Sequence, residues 1–123
     1  MTITVIAVIG VFFAGMGCYA LAAPTAIIRP FGVTLGGVAA RSEIRAVYGG
    51  FGLAIAAVLG YAATAGDDVR TGILITVGAA LGGMALGRLA SVLVDDRTAF
   101  YPNWFYCLVE VLAAAALFAI SAR

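Results

Sequence analysis

The sequence predicts an all-α integral membrane protein. The expected form is a four-helix bundle of up-down-up-down topology with a short interfacial segment between helices 1 and 2. Three observations predict it. Hydrophobic residues make up 64% of the chain, against roughly 45–50% in a soluble protein. Charged residues make up 11%, against about 25%, too few to coat a water-soluble domain. The apolar residues also gather into four runs, each near the roughly 20 residues that cross the hydrocarbon core as a helix. In lipid the backbone must satisfy its own hydrogen bonds, so each run is expected to be helical.

The first run, Ile3 to Ala23, carries no charge and stops at Pro24. It has the length of a signal peptide, and Gly15-Met16-Gly17-Cys18 faintly resembles a lipoprotein cleavage box. No Arg or Lys precedes it, however, so we read it as a retained span. The second run, about 46–65, stops at Gly66-Asp67-Asp68. The third, about 72–94, stops at Asp95-Asp96-Arg97, and the fourth is about 103–122. Together they form one transmembrane domain over residues 1–123. The connection from Pro24 to Arg45 is the longest, and Ile27, Ile28 and Phe31 flank Arg29 and Pro30 there. That mixture predicts a segment lying in the headgroup layer. Tyr101, Trp104, Phe105 and Tyr106 form an aromatic anchor at the start of the fourth span.

Topology follows from arginine placement. Arg29, Arg41, Arg45 and Arg97 belong to one membrane face, and Arg70 and Arg123 to the other. The positive-inside rule then puts both termini outside. The membrane is expected to be the cell inner (plasma) membrane, since the lack of Lys fits a GC-rich bacterial source.

Composition also excludes functions. A net charge of +1 gives no basic field, so nucleic acid is not an expected partner. There is no His, which removes the commonest metal ligand and general base. We expect no metal and no cofactor. Cys18 and Cys107 are too few for a disulfide scaffold, although their similar depths leave one bridge conceivable. Asp67-Asp68 and Asp95-Asp96 read as solvated loop pairs.

Small residues recur at helical spacing. Gly10, Ala14, Cys18 and Ala22 do so in the first span. Ala46, Gly50 and Ala54, beside Gly52, Ala56 and Gly60, do so in the second. Gly78 with Gly82, and Gly83 with Gly87, do so in the third. Such stripes let helices approach closely in lipid. They serve either the internal packing of the bundle or contact with another protomer or a larger membrane complex.

The charges inside the spans are the most informative residues. Arg88 and Glu110 lie equally far from Ala99, the centre of the third hairpin, and so at matching depth. The same construction sets Arg88 level with Gly49, with Glu43, Arg45 and Tyr48 close by in depth and Ser91 one turn away. The expected cluster is therefore Glu43, Arg45, Tyr48, Arg88, Ser91 and Glu110. It reads in two ways: an ion-pair network fixing helix register, or a polar pocket for a lipid headgroup, small polar ligand or ion.

Four stretches then make the pattern familiar: Ala23-Pro24 with Arg29-Pro30-Phe31-Gly32, the run Ala40 to Gly50, Gly83 to Arg88 with Ser91, and Glu110. On these the whole chain resembles a bacterial family of four-helix membrane proteins, a domain of unknown function numbered 4345. That family is distantly similar to DoxX-like membrane proteins. The resemblance implies the architecture and brings no catalytic mechanism.

Three functions compete. A non-enzymatic module binding membrane lipids or a partner explains the stripes, the short loops and the absence of His. A small transporter or channel fits the length, but the first span lacks the Glu of four-helix drug exporters. An enzyme acting on lipid or quinone, with Glu43, Glu110 and Tyr48 as acid and base, ranks last because no nucleophile–base pair stands out.

Overall fold

The computed structural model describes all residues, 1–123. The chain is predominantly helical and contains no strand. Helix α1 spans Thr2–Ala22, α2 Pro24–Ile28, α3 Val38–Ile44, α4 Phe51–Thr64, α5 Asp67–Val94 and α6 Phe105–Ser121. A π-helical segment, Arg45–Gly50, joins α3 to α4 without a break, and another, Phe100–Trp104, leads into α6. Four helices are thus long and apolar enough to cross a membrane: Thr2–Ala22, Val38–Thr64, Asp67–Val94 and Phe100–Ser121. This is a membrane protein.

Two helix starts differ from the sequence reading. The second long helix begins at Val38, so Arg41, Glu43 and Arg45 ride on a helix rather than in a loop. The third begins at Asp67, because a helix N-terminus favours the acidic Asp67 and Asp68. Between α1 and α3, Pro24 opens α2, and a 3-10 turn at Arg29–Phe31 follows. That turn ends on Gly32, whose φ of 74° suits a residue without Cβ.

By packing, the chain falls into two compact units, one of Ile6–Thr64 and one of Met1–Val5 with Ala65–Arg123. Within the first, α1 buries Ile6, Ile9, Phe13, Gly17 and Ala20, a three-and-four spacing that holds one face. The expected stripe of Gly10, Ala14, Cys18 and Ala22 is not that face. The close approach is at Gly17, where an added Cβ would stand 2.9 Å from the Gly49 carbonyl oxygen and from the Leu53 nitrogen. Gly52 lies close, though less tightly, against Phe13, its Cβ position being 3.1 Å from the Phe13 carbonyl oxygen.

Within the second unit, α5 and α6 form an antiparallel hairpin. Helix α5 buries Leu74, Val77, Gly78, Leu81 and Ala85, and α6 buries Cys107, Glu110, Ala114, Leu117 and Ile120. Gly78 receives the Phe118 ring and the Leu117 side chain, at 3.3 and 3.5 Å from its Cβ position. Gly82, Gly83 and Gly87 have open space at theirs.

Candidate functional site

Glu110 occupies a core position in an otherwise apolar stripe of α6 and is only 4% exposed. A carboxylate there needs a partner of opposite charge. Arg88 supplies it from α5. Its Nε donates to both carboxylate oxygens, at 2.8 Å to Oε2 and 3.0 Å to Oε1. Its Nη2 donates to Oε1 at 2.9 Å. The fork geometry makes this the strong class of charge-assisted hydrogen bond. No buried side-chain nitrogen or oxygen is left without a partner.

The depth of the pair explains why it is tolerated. At about 1.5 Å per residue, the 28-residue α5 is about 42 Å long, longer than the roughly 30 Å hydrocarbon core. With the helix centred, Arg88 lies about 11 Å from the midplane, near the hydrocarbon edge. The insertion cost there is below the roughly 2.5–3.5 kcal/mol that a charge meets at the centre.

Tyr106, one turn before Glu110, completes this site. Its ring centroid is 5.7 Å from Arg88 Cζ, within cation–π range. The same ring contacts Phe105 and Tyr101, with centroids 5.2 and 6.1 Å away. Arg88 is thereby tied to the aromatic cluster at the start of α6. The Cys107 thiol points at the Ala85 carbonyl, 3.9 Å away. The i, i+4 spacing of Tyr106 and Glu110 is the signal that would have found Tyr106 in the sequence. Ser91 lies exposed on α5, one turn beyond Arg88.

Glu43, Arg45 and Tyr48 belong to the other unit. Glu43 is exposed on α3, and Tyr48 is half-buried within the π-helical segment. The Phe51 N–H there reaches back five residues to the Ala46 carbonyl. Arg45 turns toward the end of α1, and its Nε donates to the Leu21 carbonyl at 3.0 Å. Pro24, lacking an N–H, ends α1 and leaves its last carbonyls without intrahelical donors. A guanidinium at that negative helix end is the complementary cap. Sequence reasoning missed this contact, because nothing in the local pattern points from residue 45 to residue 21. Arg29, Arg41 and Glu43 form no ion pair.

Cys18 and Cys107 are both free thiols, the first exposed and the second buried. No three His, Cys, Asp or Glu side chains gather as a metal site would require. Chemically, the arrangement holds one closed ion pair, one helix-end cap and several unanswered surface cations.

A family model described as "Domain of unknown function (DUF4345)" matches residues 1–121. No curated protein and no solved structure shows significant similarity to the chain. A match over nearly the whole length shows the relationship: the chain belongs to the DUF4345 family.

Proposed function

We propose that this protein is a non-enzymatic lipid-binding module of the bacterial inner membrane, distantly DoxX-like, with its termini outside. One observation carries the reading. The intramembrane cation is already answered, since Arg88 is closed on Glu110, whereas Arg29 and Arg41 have no anionic partner. These two cations, with Arg45, flank the short α2 segment, whose residues Pro24 and Ile28 are buried. That combination favours phosphodiester headgroups of anionic lipids, which supply the missing negative charge at the membrane surface. Glu110 and Arg88 then serve as a register lock for the α5–α6 hairpin. Open space at Gly83 and Gly87 on α5 leaves room for a neighbouring helix, so a second copy or a membrane partner fits the same reading.

Native mass spectrometry from mild detergent tests it. The wild type should retain phosphatidylglycerol or cardiolipin, and Arg29→Gln with Arg41→Gln should lose most of that retention while α-helical content stays intact. A bare protein with neither lipid nor partner would overturn the proposal.

A further inference from the structure

A second lipid contact, independent of the cationic segment, sits at the other unit's hairpin. The end of α5 and the entry to α6 border a shallow, open cleft of about 270 Å³, lined by Val92, Asp96, Arg97, Thr98 and Trp104. We propose that this cleft receives the phosphoethanolamine headgroup of a zwitterionic membrane lipid.

Four features point to that chemistry. First, the wall carries both signs of charge on adjacent residues. Neither Asp96 nor Arg97 is spent on an ion pair within the protein. A ligand bearing one anion and one cation answers both, and a phosphodiester suits the guanidinium. Second, the cleft adjoins the C-terminal end of α5, the negative pole of a 28-residue helix with no basic residue in its last turn. The last four carbonyls of a helix lack intrahelical donors. Here the Asp95 N–H caps that of Ser91. A primary ammonium brings three donors to a carboxylate and to such carbonyls, whereas a quaternary ammonium brings none. Ethanolamine is therefore favoured over choline. Third, Trp104 and Val92 give the cleft an apolar side for the glycerol and the first acyl carbons. Fourth, the depth is right. Trp104 immediately precedes α6, near Tyr101, Phe105 and Tyr106 in the chain, and an aromatic belt marks the headgroup level. The volume is below the roughly 300–1,000 Å³ of sites for drug-sized molecules, which suits contact with a headgroup whose chains extend outside it.

The chain has a single Trp, and it lines this cleft, so its fluorescence reports occupancy directly. The purified protein in detergent would be titrated with dihexanoyl-phosphatidylethanolamine, the matching phosphatidylcholine and phosphatidylglycerol, and acyl-free glycerophosphoethanolamine. The expected result is a saturable change at about tenfold lower concentration of phosphatidylethanolamine than of the other three. Asp96→Asn should erase the preference over phosphatidylcholine, and Arg97→Gln should weaken both lipids together. Circular dichroism checks that each variant keeps its helices. Equal response to the three lipids, or an unchanged preference in Asp96→Asn, overturns the proposal. A response to glycerophosphoethanolamine as strong as to the lipid also overturns it, by making the ligand a soluble one.

Discussion

Replacing Glu110 by Gln keeps the size of the side chain and one acceptor, removes the charge, and turns the second acceptor into an NH2 donor. Arg88 would then hold a buried guanidinium without its counter-ion. Removing one member of a buried pair costs about 3–5 kcal/mol in a protein interior. Here the Arg88 side chain is 21% exposed and that of Glu110 only 6%, and Arg88 lies near the hydrocarbon edge. We therefore expect a cost somewhat below that range, about 2–3 kcal/mol, which is roughly 30- to 150-fold in the folding equilibrium. Arg88→Met, which keeps the apolar stem, should cost about as much by stranding Glu110. The double variant strands neither charge. It should cost about 1–3 kcal/mol, mainly because the buried amide introduced by Glu110→Gln is left short of partners. The coupling between the two sites is then about 1–5 kcal/mol, centred near 3, toward the top of the range found for directly contacting residues. Equilibrium unfolding in mixed micelles, followed by far-UV circular dichroism, measures all four corners of the cycle. Additivity of the two single changes within about 0.5 kcal/mol would refute the lock. A Glu110→Gln protein of wild-type stability that has lost bound lipid would also refute it, and would make the pair part of a binding pocket.

Other consequences follow from the packing. Gly17→Ala should destabilise by roughly 1–3 kcal/mol, since its Cβ would stand 2.9 Å from backbone atoms of Gly49 and Leu53. Gly60→Ala has open space around it and should be neutral or stabilising by up to about 1 kcal/mol; thermal unfolding of the two variants side by side decides this. Arg45→Gln removes the donor to the Leu21 carbonyl and should cost about 1 kcal/mol, with faster hydrogen exchange confined to the end of α1 and to α2; unchanged exchange there would count against the cap. N-Ethylmaleimide in detergent should modify exposed Cys18 well before buried Cys107, giving a single early adduct by intact mass.

The four long helices were legible because lipid imposes a length and an apolar composition that the runs display openly. Their ends were less so, since charge was read as loop. Arg41, Glu43 and Arg45 instead ride on a helix that continues past the apolar run, and Asp67 and Asp68 begin one. The small-residue row of the first span is not its buried face, for a geometric reason. Steps of four residues drift by about 40° each on a helix with 3.6 residues per turn. The row Gly10, Ala14, Cys18, Ala22 therefore slides off any one face. The alternating spacing of Ile6, Ile9, Phe13, Gly17 and Ala20 stays on it. Depth arithmetic brought Arg88 level with Glu110 because a hairpin fixes depth on both its arms. It carries no information on rotation about the helix axis, which decides where Tyr106 and Arg45 point. The π-helical turn at Arg45–Gly50 leaves no mark in periodicity; it sits where Gly49 and Leu53 meet Gly17.

The two ends of α5 differ in a way that bears on where lipid contact matters. At its start, Asp67 and Asp68 occupy the positive pole, and Arg70 bonds Asp67 and the Ala65 carbonyl. That end is electrostatically settled. At its finish, Asp95 and Asp96 stand at the negative pole, with no basic residue in the last turn. Misplaced charges at helix ends cost up to about 1 kcal/mol each, so the finish opposes the fold that carries it. Neutralising such a residue should therefore stabilise the free protein. Asp96→Asn should raise the thermal midpoint by about a degree or two in lipid-free detergent. If Asp96 holds an ammonium, added phosphatidylethanolamine should stabilise the wild type and not the variant, so that the order of the two reverses. A variant less stable than the wild type in both conditions would make Asp96 a structural residue and leave the cleft without its anion.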